Sequence, residues 1–248
     1  MKYSILLPYY QRVEQFTRTL ASFAHHYHDR RDYEIILVID SKNDDAVLDM
    51  LPGFNDMVPL AYVQQTPPRE SCHSPVLSFN QAARLAHGTY LVISNPEGFH
   101  KSNILSGLDH EFEQHHDCYV VCACESGVKC TMPDGFESFT YQHHMWYQHG
   151  VLNNRRLHFC TALPAATYHR IGGFDERFAE GIGYDDDDFR DRIEAAGVPF
   201  VLRDDLLTVH QDHSRAHQVI PKAEYRRLLE HNKRLYAANC KQRAAQHD

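Results

Sequence analysis

Apolar runs alternate with helical patterns along most of the chain. Runs typical of buried strands cover residues 3–7, 34–39, 60–63, 90–93 and 118–124. Between these runs, apolar residues recur at every third or fourth position and predict amphipathic helices, as in Val13, Phe16, Leu20 and Phe23. Because strands that alternate with helices form βαβ units, the pattern predicts an α/β protein with a mostly parallel central sheet.

The second half of the chain continues this pattern after one interruption. Residues 135–156 are rich in aromatic, His and Asn side chains and show no period, so we expect a long loop or irregular insertion there. A strand near 158–163, a helix from about 186 to 196 and a strand at 200–202 follow. A last amphipathic helix is predicted after Pro221.

Composition narrows the possible functions. The 248 residues are 43% apolar, enough for one compact body, and the formal net charge of −8 argues against nucleic acid as a partner. The odd set of seven cysteines has no framework spacing, which suits a reducing compartment. No apolar stretch is long enough for a membrane helix, and we expect a cytoplasmic protein.

Two acidic segments stand where ligands of parallel sheets bind. The buried run at 90–93 ends in Asn95, Pro96 and Glu97, and the carboxyl end of such a strand is a common ligand site. Four carboxylates, Asp185 to Asp188, stand at the start of a predicted helix. Helix capping explains one or two of them, whereas a carboxylate held beside others has a raised pKa that suits a general base. A simple strand-end turn is the alternative for residues 95–97.

Several segments resemble one enzyme family. IGGFDERFAEGIGYDDDDFRDRI (171–193) is similar to the C-terminal signature of the inverting family 2 glycosyltransferases, in which GGFDE precedes an acidic pair. SILLPYYQR (4–12), VIDSKNDDA (38–46) and FNQAARLAHGTYLVI (79–93) resemble other segments of that family. The resemblance covers roughly residues 4–215 and implies a GT-A fold, a Rossmann-like α/β domain with a mostly parallel sheet flanked by helices.

The resemblance implies roles for individual residues. Asp186 corresponds to the catalytic aspartate, which deprotonates the acceptor hydroxyl. Pro8, Tyr9, Asp40, Asn80, Asn95 and Glu97 would bind the nucleotide-sugar donor, with UDP as the expected nucleotide. Where the family has Asp-x-Asp, this chain has Asn95-Pro96-Glu97, so Glu97 and His210 would hold the divalent Mn²⁺ or Mg²⁺ ion, with His213 as a competitor. The acceptor would meet four further residues, Asp175, Glu176, Asp185 and Trp146.

The expected organisation is a single GT-A domain followed by a tail. Residues 1–220 would form the domain, with a nucleotide-sugar half at 1–97 and an acceptor half at 98–220. The tail at 221–248 has seven basic and three acidic residues; it either docks on the body or contacts an anionic membrane surface, which would suit a glycolipid acceptor. The predicted function is sugar transfer to a saccharide or glycolipid hydroxyl in polysaccharide or glycoconjugate synthesis. A catalytically weak or inactive nucleotide-sugar-binding protein is the alternative.

Overall fold

The computed structural model describes residues 1–40, 47–65, 74–214 and 216–245. Its strands are β1 (Tyr3–Tyr9), β2 (Tyr33–Asp40), β3 (Leu60–Gln65), β4 (Tyr90–Ser94), β5 (Gly98–His100), β6 (Tyr119–Thr131), β7 (Thr140–Gln148), β8 (Cys160–Pro164) and β9 (Phe200–Gln211). Its α-helices are α1 (Val13–Tyr27), α2 (Val47–Met57), α3 (Val76–Leu85), α4 (Ile104–Gln114), α5 (Ala165–Arg170), α6 (Asp185–Ala195), α7 (Ala216–Val219) and α8 (Lys222–Ala244).

One mixed sheet forms the centre of the described chain. Strands run in the order β3-β2-β1-β4-β8-β6-β9-β5, and β7 pairs with β6. The pairs that β1 makes with β2 and β4 are parallel, as are those of β2 with β3 and of β6 with β9. Both pairs made by β8 are antiparallel. The mostly parallel first half and the helices around the sheet confirm the predicted α/β class with the GT-A arrangement.

Both faces of the sheet are buried, which explains the uninterrupted apolar runs. Ile5 and Leu7 of β1 point into one core with α1, α2 and α4, whereas Leu6 points into a second core with α3 and α6. Because successive residues of a strand face opposite sides, a strand covered on both sides must be apolar at every position. This alternation is the physical reason that apolar runs alone located most strands.

The predicted insertion at 135–156 is wrong in its central part. Residues 140–148 form β7, which pairs antiparallel with the long second half of β6. β7 is exposed along most of its length and its pairing has irregular register, so the sequence lacks the alternation of a half-buried strand. A small third core beneath this hairpin contains Phe99, Cys130, Phe139 and Val209.

The C-terminal helix docks on the body of the protein. α8 buries Leu228, Asn232 and Asn239. Asn239 donates a hydrogen bond to Asp188 of α6 at 2.9 Å, and Arg243 forms an ion pair with the same carboxylate at 2.7 Å. Of the two predicted positions of the tail, this structure has the docked one. No described helix is both long and apolar enough to cross a membrane.

Candidate active site

The parallel strands β1, β2 and β4 end at one edge of the sheet, which is called the carboxyl edge here. Tyr9 ends β1, Asp40 ends β2, and Asn95 directly follows β4. Polar side chains at this edge come from separate elements, as is usual for ligand sites of α/β sheets. Residues 41–46, which belong to one of the family-like segments, lie outside the described residues.

Glu97 is the centre of a charged cluster at this edge. A turn after Ser94 carries Asn95 to Glu97, and Gly98 then pairs with His210 of β9. The backbone of Gln211 donates to the Glu97 carbonyl at 3.0 Å, which fixes the residue beside β9. Its side chain is only 4% exposed although it is a carboxylate. A carboxylate this deeply buried requires partners of opposite charge or hydrogen-bond donors.

Three side chains supply these partners. A single nitrogen of Arg12, Nη1, lies 2.7 Å from each oxygen of Glu97. The Nε2 atoms of His210 and His213 lie 3.3 and 3.5 Å from Oε1 of Glu97. Burial alone would raise the pKa of Glu97, but the Arg12 charge and the hydrogen bond from His210 hold that pKa well below its usual range. We call Arg12, Glu97, His210 and His213 the Glu97 cluster.

The donor atoms of the Glu97 cluster fit a divalent cation. One oxygen of Glu97 and one nitrogen from each of His210 and His213 lie within 4.8 Å of one another. One carboxylate and two imidazoles suit Mn²⁺ better than Mg²⁺, which prefers an all-oxygen shell. Nδ1 of His213 lies 2.7 Å from the carbonyl of Ser214, the type of second contact that orients metal-binding imidazoles. The predicted ligands Glu97 and His210 are therefore adjacent in the structure.

The aromatic partner of the cluster is Tyr147. Its ring lies 5.0 Å from that of His210 and stacks on Phe159 at 4.9 Å. Trp146, the predicted acceptor residue, precedes Tyr147 on β7, and its ring contacts His143 and His149. Because neighbouring residues of a strand face opposite sides, the contact with the cluster belongs to Tyr147.

A second acidic group, Asp185 and Asp186, begins α6 and is called the acidic pair here. Ser74 donates a hydrogen bond to Asp185 at 3.3 Å. Ser74 precedes α3, whose far end leads to Gly88 beside the start of β1, so this end of α3 lies at the carboxyl edge. Tyr184, in the left-handed conformation with φ of 64°, turns the chain into the helix directly before the acidic pair.

The acidic pair has strongly perturbed electrostatics. Burial and the neighbouring Asp186 charge raise the pKa of Asp185 to about 7. Burial also raises the pKa of Asp186, while a hydrogen bond from the Asp187 backbone and the charge of Arg155 act in the opposite direction. The charge of Asp186 thus opposes ionisation of Asp185. Carboxyl groups with raised pKa are typical of general acids and bases.

The other two adjacent aspartates of α6, Asp187 and Asp188, form ion pairs with arginines. Asp188 is fully buried and pairs with Arg192 at 2.8 Å and Arg243 at 2.7 Å. Asp187 accepts a hydrogen bond from Arg190 at 2.9 Å. The four aspartates thus divide into the acidic pair and two residues held by arginine.

Three predicted ligand-binding residues lie elsewhere. Asn80, Asp175 and Glu176 line an open depression of about 710 Å³ between α3, α6 and α8. The Asn80 amide donates to the Phe174 carbonyl and to Glu176, and it accepts from Tyr168 and the Phe174 backbone. These internal bonds give Asn80 a role in the fold, and its contact with the donor stays a prediction.

The carboxylates of this depression also have internal partners. Asp175 binds Arg177 at 2.5 Å and accepts a hydrogen bond from Asn239 of α8 at 3.1 Å. Asp175 and Glu176 both join the 174–177 turn to its neighbours, and the acceptor contact that the resemblance implies for them stays a prediction. Tyr9, for which a donor contact was predicted, is a buried residue whose ring packs on Phe16 at 5.2 Å.

Sequence reasoning missed Arg12 as a member of the site. Arg12 follows β1 and Glu97 follows β4, 85 positions later in the chain, so only the parallel pairing of β1 with β4 brings them together. The sequence did indicate Arg12 in one way: it is the only basic residue of the segment SILLPYYQR (4–12), at the end of the first predicted strand. His213 was recognised as a competitor of His210, and the structure brings both to Glu97.

Comparisons with known proteins agree with this architecture. Residues 159–213 match the family described as the N-terminal domain of galactosyltransferase. A validoxylamine A glucosyltransferase of Streptomyces hygroscopicus subsp. jinggangensis is 23% identical over 248 residues, covering 87% of this chain and 56% of the relative. The chain thus spans about half the length of the curated relatives it matches.

Two solved structures resemble the fold at low sequence identity. S. aureus TarS 1-349 in complex with UDP-GlcNAc superposes with a TM-score of 0.68 at 16% identity, covering 96% of this chain and 66% of TarS. The mannosyltransferase PcManGT from Pyrobaculum calidifontis, in complex with GDP-Man and Mn²⁺, gives 0.61 at 16% identity, with 87% and 58% covered. The two solved structures show that the chain has the GT-A fold, and its matched segment and curated relatives are those of glycosyltransferases.

Proposed function

We propose that the chain transfers a sugar from a nucleoside diphosphate donor to a hydroxyl acceptor, with inversion at the anomeric carbon. The observation that carries the proposal is the presence of two acidic centres at one sheet edge: the buried Glu97 cluster and the acidic pair with its raised pKa values. The first suits a cation and a diphosphate, and the second suits proton removal. The family 2 resemblance of 171–193 supports inversion.

The donor is proposed to lie along the carboxyl edge. Pro8, Asp40 and Asn95 stand at or after the ends of β1, β2 and β4, in reach of a base, ribose and diphosphate. A UDP-sugar is the proposed donor class. TarS in complex with UDP-GlcNAc supports it, whereas PcManGT in complex with GDP-Man shows that the same fold accepts another nucleotide.

The proposed resident cation is Mn²⁺, held by Glu97, His210 and His213. When bound, such an ion neutralises the charge that develops on the departing diphosphate. Glu97 remains ionised over the whole physiological pH range because its pKa is lowered. Its burial keeps water from competing for the carboxylate oxygens.

Asp186 is proposed as the general base. It takes the proton of the acceptor hydroxyl as the oxygen forms a bond to the anomeric carbon, and the bond from that carbon to the diphosphate oxygen breaks. The nucleoside diphosphate leaves with the bonding electrons. Asp185, protonated at neutral pH over much of its population, can donate a hydrogen bond to the acceptor, as carboxylic acids in apolar surroundings do.

A saccharide or glycolipid hydroxyl is the proposed acceptor, in polysaccharide or glycoconjugate synthesis. We assign its binding to the edge near Asp185 and the exposed side of β7 with Trp146. Asp175 and Glu176 are left out of this assignment because Arg177 and Asn239 bind Asp175 and one oxygen of Glu176 accepts a hydrogen bond from Asn80. Membrane contact through α8 is a prediction that liposome sedimentation with and without residues 221–248 can test.

A donor and acceptor screen tests the proposal. UDP, GDP and dTDP are titrated calorimetrically into the wild type, Asp186→Asn and the surface control Asp134→Asn, each with Mn²⁺ and with EDTA. Release of the diphosphate from matching nucleotide-sugars is then measured with a panel of saccharides. We expect Asp186→Asn to bind nucleotide like the wild type and to lose at least about a hundredfold in turnover, within the usual contribution of a general base.

Each result has a clear meaning. NMR of the product should show a β-linked sugar from an α-linked donor, and retention of configuration would contradict the proposed mechanism. Nucleotide binding without turnover on any acceptor would favour the alternative of a nucleotide-sugar-binding protein. If no nucleotide binds, the proposed function is wrong.

A further inference from the structure

We infer that Arg12 is a built-in competitor of the metal: its guanidinium occupies the cation position of Glu97 and must leave before a divalent ion binds. The inference rests on the metal part of the proposed function. It concerns a residue that is outside the predicted ligand set and 85 positions from Glu97 in the chain.

The geometry of the ion pair carries the first step. One nitrogen, Arg12 Nη1, lies 2.7 Å from both Glu97 oxygens. A nitrogen midway between two carboxylate oxygens stands where a chelated cation stands, and it uses the lone pairs that a metal would need. Arg12 and a metal ion are therefore alternative partners of the same carboxylate.

The two imidazoles carry the second step. The Nε2 atoms of His210 and His213 lie 3.3 and 3.5 Å from the same Glu97 oxygen, Oε1, that Arg12 contacts. A divalent ion among these three ligand atoms would lie within a few ångströms of the guanidinium. Two cations that close, in a site with little water, repel strongly, so both cannot remain.

The third step is that the Arg12 side chain reaches solvent, whereas Glu97 is buried and fixed by its backbone. The Glu97 backbone is bonded to β9 and its side chain is 4% exposed, whereas the Arg12 side chain is 30% exposed and stands at the start of α1. The guanidinium bonds described for Arg12 both go to Glu97. An anionic diphosphate at the carboxyl edge offers Arg12 a new partner, so donor and metal should bind cooperatively.

Calorimetric titration of Mn²⁺ alone into the full chain tests the inference without relying on activity. The proteins are the wild type, Arg12→Gln, Arg12→Lys and Arg31→Gln, an exposed arginine on the same half of the chain that bonds only to backbone carbonyls in the described structure. Loss of the free-ion EPR signal of Mn²⁺ provides an independent readout. Far-UV circular dichroism checks the fold of each variant.

We expect Arg12→Gln to bind Mn²⁺ at least tenfold more tightly than the wild type, and Arg31→Gln to match the wild type. Arg12→Lys keeps the charge but loses the planar guanidinium, so it should fold and gain at least threefold. Adding His210→Ala to Arg12→Gln should remove the gain. Addition of UDP should raise Mn²⁺ affinity in the wild type more than in Arg12→Gln.

Equal or weaker Mn²⁺ binding by both Arg12 variants would overturn the inference and leave Arg12 a structural partner of Glu97. The proposed function fails in a different way. It fails when the wild type binds no nucleotide under any condition, whereas nucleotide binding with unchanged Mn²⁺ affinity in the variants removes only the inference about Arg12.

Discussion

The wild type should be less stable at neutral pH than the variant Asp185→Asn, because ionisation of Asp185 in the acidic pair is unfavourable in the folded state. Replacing Asp185 with Asn keeps the shape of the side chain and an oxygen that can accept the hydrogen bond of Ser74, while it removes the group that titrates. The variant therefore isolates the cost of ionising a buried carboxyl beside Asp186.

The magnitude follows from the pKa of Asp185. A rise from 3.8 to about 7 corresponds to about 4 kcal/mol of unfolding free energy. Because Asp186 carries part of the same repulsion, we expect the wild type to lose about 2–4 kcal/mol relative to the variant. The stabilising neutral form is fully present below about pH 4 and is lost as the pH rises through 7, since the folded-state pKa is the raised one.

Urea unfolding at several pH values between 4.5 and 8 measures this difference. The variant minus wild-type difference in unfolding free energy should be smallest at pH 4.5, where about a quarter of the full penalty is present, and should approach its maximum near pH 8. Groups distant from Asp185 are common to both proteins and cancel in the difference, whereas the altered ionisation of Asp186 is part of the measured effect. Asp134→Asn, at an exposed position, should give a difference that does not vary with pH. A constant difference for Asp185→Asn across this range would refute the assigned burial and coupling.

Three further substitutions separate fold from function. Asn80→Ala removes four buried hydrogen bonds and should cost about 2–4 kcal/mol in urea unfolding, while UDP affinity stays within twofold; a large loss of affinity in a folded variant would restore Asn80 to the donor site. Gly88→Ala places a Cβ 2.5 Å from the Ser4 nitrogen and should lower the unfolding free energy by about 1–3 kcal/mol, measured by thermal unfolding. An unchanged Tm would contradict this close approach. Arg243→Ala leaves the buried Asp188 with fewer partners and should lower the unfolding free energy by about 1–3 kcal/mol. Its control Arg227→Ala breaks an exposed ion pair and should leave the unfolding free energy unchanged. Equal effects of the two substitutions would contradict the docked position of α8.

The fold was largely predictable because both faces of the sheet are covered. Burial on both sides demands apolar runs, and these runs predicted β1 to β4 and the start of β6. Strands that are exposed to solvent or very short do not produce an apolar run that the sequence analysis could detect. β7 is exposed and irregular, and β5 has only three residues. The sequence therefore predicted the first half of the molecule better than the β6 to β9 region.

The candidate site was predictable in its residue types and less so in its contacts. Glu97 and His210 were expected to share a cation, and they lie together with His213. The resemblance carried no information on the partners that occupy Asn80, Asp175 and Glu176, because those contacts depend on the turn at 174–177 and on α8. Arg12 was missed for the same reason: its partner is set by strand pairing.

Docking of α8 explains how four adjacent aspartates are tolerated at the start of one helix. Asp188 and Asp191, about one turn apart, both form an ion pair with Arg243 of α8, and Asp188 also pairs with Arg192 of α6 itself, so the tail supplies one of the cations that neutralise this turn. Asp185 and Asp186 face the carboxyl edge, have no such cation in direct contact among the described pairs, and keep raised pKa values. The basic tail therefore stabilises the helix at the positions where charge serves only the fold. Of the other three adjacent aspartates, Asp187 pairs with Arg190 of α6 itself, and Asp185 and Asp186 are the two that the proposed chemistry needs.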